Sequence, residues 1–319
     1  MFRYILRRLG FLLLTLLLTS IIIFAVTRWL PGDVCRVILG REAGEEALVA
    51  CRENLGLNDP IPVQYVHWLR DFVSGNWGDS FSTRQPIQPL VMGRLRNSGL
   101  LALVTMLISV PLAVGLGVIA GLSENKWIDN VISIFSLSVV GLPEFVTGLV
   151  LIQIFSFEFR KLGWPSLPAT SSVLPEAGFL ETLPLLILPA ITATLVLLAY
   201  IARLTRAGVI EELKQSYVRT AALKGLPHRV VVIKHVLRNA LLPTVTVIAI
   251  SFGWLISGLV VIENVFNYPG LGRLLVFAID RRDLPLMQAI TMVTVFAFAS
   301  ANLIADLLYA VLNPRIRLG

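Results

Sequence analysis

Residues 217–243 read YVRTAALKGLPHRVVVIKHVLRNALLP. The stretch carries Arg219, Lys224, Arg229, Lys234 and Arg238 and no acid, yet a long apolar run lies on each side of it. Basic loops between apolar spans set the orientation of a membrane protein, because Lys and Arg collect on the cytoplasmic face. Gly225 is placed to cap a short helix, and Pro227 stops that helix from simply continuing. Thr220, Ala221 and Ala222 leave an uncluttered helix face. Such a face suits docking into a partner's groove, or a loop lying on anionic lipid.

The flanking chain is oily. Of 319 residues, 56% are hydrophobic and 15% charged, with a mean hydropathy of +0.79, whereas soluble domains are about a quarter charged. A crossing helix needs about 20 mostly apolar residues. Six segments qualify, at 9–30, 98–122, 128–157, 183–203, 243–265 and 286–312. The expected fold is therefore an all-α polytopic membrane protein with six transmembrane helices. An even number of crossings puts both chain ends on one side.

Charge selects that side. With both ends cytoplasmic, the inner segments hold Arg3, Arg7, Arg8 and Lys126, every Lys and Arg from Arg203 to Arg238, and Arg315 and Arg317. The outer loops after spans three and five hold only Arg160, Lys161, Arg273, Arg281 and Arg282. The reading is N-in, C-in. It also accounts for the net charge of +7, so nucleic acid is not an expected partner and the lipid bilayer is. The first apolar run is longer than a signal-peptide core and no A-x-A follows it, so a retained helix is expected.

The chain divides into a first helix (1–30), an extracytoplasmic loop domain (31–97), a core (98–312) with a cytoplasmic loop at 204–242, and a tail (313–319). The loop domain follows from LGLNDPIPVQYVHWLRDFVSGNWGDSF, whose aromatics and turn residues favour packing. Gly117 and Gly121 have the spacing at which membrane helices approach closely.

No catalytic residues are expected. The chain has no GxxxxGK[ST], HExxH or GxSxG. His67 lies in an outer loop, away from His228 and His235 in an inner one, so they cannot form one metal site. Cys35 and Cys51 cannot close a zinc site alone; they form either a disulfide in an oxidising compartment or two buried thiols. Glu144, in GLPEFVTG near the middle of span three, is a candidate for the translocation path. Ionisable residues inside spans are costly, and the alternative is a carboxyl hydrogen-bonded to a neighbouring helix. Glu263 and Asp306 lie near span ends, where pairing or capping is expected.

The basic loop resembles the coupling loop of ABC-importer permeases. Measured from Gly225, the family's E-A-A positions fall on Arg219, Thr220 and Ala221, and its I-x-L-P positions on His235 to Arg238, with Leu242-Pro243 later. The general pattern is thus matched loosely and lacks its Glu. YVRTAALKG followed by KHVLRNALLP instead looks like the peptide and nickel branch. LPGD at 30–33, LGLNDPIPVQYVHWL at 55–69, WGDSF at 77–81, ENVFNYPGLGRLL at 263–275 and ADLLYAVLNPRIRLG at 305–319 resemble that branch in the same order. Asn313, and the Asn76-Trp77 pair, depart from its usual residues. The chain is identified as similar to the B-type permease subunits of the dipeptide, oligopeptide and nickel importers.

That resemblance implies a bacterial-type cytoplasmic (inner) membrane location and a non-catalytic role in the uptake of peptides or similar small solutes. Nickel chelates, opines, glutathione and oligosaccharides are the alternative cargoes. It implies a second homologous permease, two P-loop ATPases holding ATP and Mg, and an extracytoplasmic substrate-binding protein. Ser216, Tyr217, Arg219, Thr220, Ala221, Ala222, Lys224 and Gly225 would contact the ATPases through a coupling helix between spans four and five. Asp59, Gln64, Trp68, Tyr268 and Arg273 would dock the binding protein. A self-sufficient secondary transporter or channel is the rival, but no repeat relates the two halves.

Overall fold

The long apolar runs leave the backbone one way to satisfy its polar groups in hydrocarbon, which is within helices. A computed structural model describes residues 2–29, 34–40, 42–54, 56–172 and 179–312. LPGD at 30–33, Leu55, and the tail with Asn313, Arg315 and Arg317 lie outside the described residues. So do the side chains of residues 308–312. Among the described residues everything regular is helical, apart from one isolated bridge between Asp79 and Pro86.

α1 (Phe2–Trp29) is followed by the short α2 (Val34–Leu39), α3 (Glu45–Asn54) and α4 (Ile61–Ser74). Then come α5 (Ile87–Leu122), α6 (Trp127–Val140) and α7 (Glu144–Lys161). α8 (Phe179–Leu213) leads to the eight-residue α9 (Ser216–Leu223) and to α10 (His228–Ala240). α11 (Leu242–Gly258), α12 (Val260–Val265), α13 (Leu271–Asp280) and α14 (Leu284–Leu312) complete the chain.

Four helices are long and apolar enough to cross a bilayer: α1, α5, α8 and α14. The count rises to six if α6 with α7, bent by 102°, and α10 with α11, bent by 51°, each form one span. The helices differ in extent from several of the expected spans. The helix that contains the expected second span begins at Ile87, ahead of residue 98. The fourth runs on to Leu213, so the first ten residues of the expected 204–242 loop belong to its helix. The third is broken at Gly141–Pro143, and Glu144 opens the second half instead of sitting in mid-helix. Pro143 adopts the extended conformation that precedes a helix start (φ −57°, ψ 139° or close to it is shared by Pro60 and Pro227; here ψ is 136°).

The bundle is organised around α5 and α8, its most extensive helix pair. A Cβ on Gly117 would lie 2.6 Å from the Ala202 carbonyl oxygen, and one on Gly121 would lie 2.8 Å from Val209. Both glycines therefore allow a close approach that a side chain would prevent. Membrane helices gain little from hydrophobicity against lipid, so such packing drives their association. α1 packs chiefly on α14 and presents Leu13, Leu18 and Ile22 outward. Arg8 pairs with Asp306 at 2.8 Å, and Gln288 donates to Thr27 at 2.7 Å. The two helices are therefore antiparallel, and the Arg8 end of the chain lies beside the Asp306 end.

Candidate functional site

At the end of the bundle where α8 leaves the core, α9 is held by an apolar patch. Val218 and Ala221 are buried with Val209 of α8 and Val231, Val236 and Ala240 of α10. Gly225 follows at φ +76°, a left-handed conformation suited to glycine. Tyr217 fastens the unit from one side. Its hydroxyl donates to the Glu212 carboxylate at the end of α8, and Asn239 Nδ2 of α10 donates to it at 3.1 Å. Burial, reinforced by Glu212, pushes the Tyr217 phenol above its ordinary pKa, so it stays a donor.

Ser216, Arg219, Thr220, Ala222, Lys224 and Gly225 are exposed, as is Leu223 at 80%. Ala221 is buried at 7% exposure. The expected uncluttered outward face therefore loses Ala221, whose small side chain lets α9 sit close on its own bundle. The outward face pairs an apolar residue, Leu223, with cationic neighbours.

At the opposite end, ENVFNYPGLG forms a capped corner. The buried Glu263 carboxylate accepts from Ser98 Oγ at 2.6 Å and from the Arg273 N–H at 3.0 Å, with the Gly272 N–H as a third donor. Ser98 Oγ in turn accepts from the Leu271 N–H at 2.8 Å. Glu263 and Ser98 thus satisfy the N–H groups at the start of α13, which no helical partner reaches. The Cβ of any larger residue at Gly270 would fall on the Glu263 carboxyl group. Tyr268 is wholly buried and donates to the Asn97 carbonyl at 2.7 Å, while Asn97 Nδ2 donates to the Pro269 carbonyl at 2.9 Å. Tyr268 is therefore corrected from a docking residue to a core residue of this corner. Arg273 remains partly accessible and donates through Nη1 to the Asn267 carbonyl.

A second buried carboxylate joins two distant segments. Asp283 Oδ2 accepts from Ser80 Oγ, the Ser82 N–H and Ser82 Oγ at 2.6–2.9 Å, and Oδ1 accepts from the Leu286 N–H. It ties the WGDSF turn to the start of α14. Beside it a cavity of about 470 Å³ opens between α1, α4 and α14, and Asp59, Gln64 and Trp68 all line it. Gln64 Nε2 donates to the Leu57 and Asp59 carbonyls, bracing the LGLNDP turn. Phe72 and Trp77 stack with centroids 5.0 Å apart. The Cys35 and Cys51 sulfurs are bonded, joining α2 to α3, and their Cα atoms are 5.9 Å apart.

Glu144 is half-buried in the first turn of α7. A carboxylate there meets the positive end of the helix dipole, which explains an acid in so apolar a segment. Among the described residues no three His, Cys, Asp or Glu side chains are grouped as ligands for a metal ion.

The two ends of the bundle are thus built differently: a small helix carried on an apolar patch at one, and a capped corner, a carboxylate tie and a cavity at the other. Residues 113–318 match the family described as binding-protein-dependent transport system inner membrane component, and residues 1–102 match its N-terminal component. The chain belongs to this family. The permease is 40% identical to a probable peptide ABC transporter permease protein of Sinorhizobium fredii, over 98% of this chain and 99% of that protein. It is 37% identical to glutathione transport system permease proteins of Escherichia coli (strain K12) and Salmonella typhi, over 99% of each chain. A crystal structure of an amino acid ABC transporter shares the fold, with a TM-score of 0.53 and 16% identity over 69% of this chain and 93% of that one. The permease is an inner-membrane component of an ABC importer. Such components work in general with a further permease, ATPase subunits and a binding protein.

Sequence reasoning did not find the Asp283 tie or a buried pair between Asp129 and Arg206. Asp129 was legible as an acid at the start of the 128–157 segment and Arg206 as one of the basic residues of the 204–242 loop, but nothing in the sequence paired them.

Proposed function

We propose that this permease imports short peptides, glutathione among the candidate cargoes, and takes its power stroke through α9. Six crossings with both chain ends cytoplasmic put α9 on the ATPase side, in agreement with the basic residues from Arg203 to Arg238. The observation that carries the reading is α9 itself: a short helix seated on the ends of α8 and α10, with Arg219, Thr220, Leu223 and Lys224 facing outward. A lipid-facing loop needs only charge, whereas a lever needs this firm seat.

The 98–312 core forms the translocation path with a second, homologous permease, and two ATPases supply ATP hydrolysis with Mg. Glu144 stands at the break in span three, where a change of helix angle is easiest, and lines that path. Residues 31–97 form an extracytoplasmic domain, with the Cys35–Cys51 bond in the oxidising compartment where disulfides persist. Asp59, Gln64 and Trp68 at the cavity rim, with Arg273, receive the binding protein.

The test is purification of the permease from bacterial membranes in mild detergent, alone and with Arg219→Glu/Leu223→Glu. The expected result is wild-type membrane insertion with ATPase recovery reduced about tenfold, because anchor residues carry most of an interface's energy. Undiminished ATPase recovery by the double variant would overturn the assignment of α9.

A further inference from the structure

The turn of α8 from Thr205 to Val209 is gripped on three sides. Val209 packs on α9, and Gly208 lies against the Ala240 backbone of α10. On the third side Arg206 meets Asp129 in the first turn of α6. Arg206 Nε donates to Asp129 Oδ1 at 2.5 Å, and Nη2 donates to Oδ2 at 2.7 Å. The Asn125 N–H and Ser133 Oγ also donate to the carboxylate, at 3.0 and 3.3 Å. Asp129 is 2% exposed and Arg206 31%. A two-pronged Arg–carboxylate pair fixes direction as well as distance.

We infer that the Asp129–Arg206 pair is a positioning pair that makes the inner half of span three move with the α8–α9 unit, carrying the ATPase stroke toward Glu144. Three features support this. The pair joins α6 to the same helical turn that seats α9. The Lys214–Glu124 contact beside it is exposed and 3.1 Å long, so of these two ion pairs Asp129–Arg206 is the one with a buried carboxylate. α6 then ends at the 102° break before α7, so a tilt imposed at Asp129 reaches the break through one uninterrupted helix. The inference rests on α9 being the ATPase contact.

The test uses the complete transporter in nanodiscs, with spin labels at Lys126 and Glu211, one on each side of the pair and both exposed. The interlabel distance is measured without nucleotide and after trapping with ATP, Mg and vanadate. In the wild type the distance is expected to stay the same in both states, because the two helices move as one body. In Asp129→Asn the ATPases should still copurify and hydrolyse ATP, but the distance should shift on trapping. Arg206→Lys keeps the charge without the fork and should give a smaller shift, and the swap Asp129→Arg/Arg206→Asp should restore the fixed distance. An Asp129→Asn transporter that holds the wild-type distance in both states overturns the inference. Failure of the ATPases to copurify with the wild-type permease would overturn the α9 reading instead. Coupling between sites is typically about 5–150-fold in equilibrium, enough for the uncoupled state to dominate the distance distribution.

Discussion

The corner built on Glu263 gives a prediction in which two harmful substitutions should not add. Glu263→Ala removes the acceptor of Ser98 Oγ and of the Arg273 and Gly272 N–H groups. Bonds to a charged acceptor contribute about 1.5–3 kcal/mol each, and a stranded buried donor costs about 1–3 kcal/mol. With part of the site reopened to water, a net loss of about 3–5 kcal/mol is expected. Gly270 has φ −101° and ψ −175°, a conformation any residue adopts, so Gly270→Ala is harmful only by collision. The three atoms nearest its new Cβ all belong to the Glu263 carboxyl group, and overpacking of this kind costs about 1–3 kcal/mol. In Glu263→Ala those atoms are gone, and the methyl group fits the vacated space. The double variant should therefore be no less stable than Glu263→Ala alone. The assay is the midpoint of thermal aggregation of the detergent-purified permease, where Glu263→Ala should lower the midpoint by on the order of 5–10 °C. Simple addition of the two losses, or a harmless Gly270→Ala in the wild-type background, would refute the reasoning.

Four further outcomes follow from other contacts. Gly121→Leu, placed against Val209, should reduce the folded permease in the membrane severalfold by immunoblot, while Gly99→Leu, in open space, should not. Tyr217→Phe keeps the ring and removes a bond to a charged acceptor worth about 1.5–3 kcal/mol; protease cleavage around Lys224 should rise while membrane abundance holds. Cys35→Ser should release a 16-residue separation worth about 3 kcal/mol locally, seen as faster proteolysis between residues 34 and 54 with no change in the core. Glu144→Gln should lower uptake of a radiolabelled dipeptide or glutathione in whole cells without lowering permease abundance; unchanged uptake of both removes Glu144 from the path.

Much of the architecture was legible because hydropathy and charge act locally. The apolar runs identified α1, α5, α8 and α14, and the cap at Gly225 followed from one glycine at the end of a helical pattern. The break in the third span was not legible as such. Residues 128–157 stay apolar through Gly141–Pro143, and composition does not distinguish a straight crossing from two helices at 102°. Ala221 was ambiguous for a related reason, since a small residue suits contact with a partner and contact with one's own helix equally well. Tyr268 was read as a docking residue because its motif lies in a loop between apolar runs, while its burial depends on Asn97, 171 positions away in sequence. Asp283 was missed for the same reason, since its partners Ser80 and Ser82 are about two hundred residues upstream.

The dependence of α1 on α14 has a consequence for biosynthesis. The first helix enters the bilayer early, but Asp306, Gln288 and the α14 surface it packs on are made last. Asp283, the anchor for Ser80 and Ser82, also emerges only then. Until α14 is made, α1 rests on its contacts with α4, the Ser20–Tyr65 hydrogen bond and the Phe24 ring against Tyr65 and Trp68 among them, and the WGDSF turn lacks its carboxylate anchor. A chain terminated before α14 would leave its oldest segment without its main packing surface, exposing the nascent permease to membrane quality-control proteases from its N-terminal end.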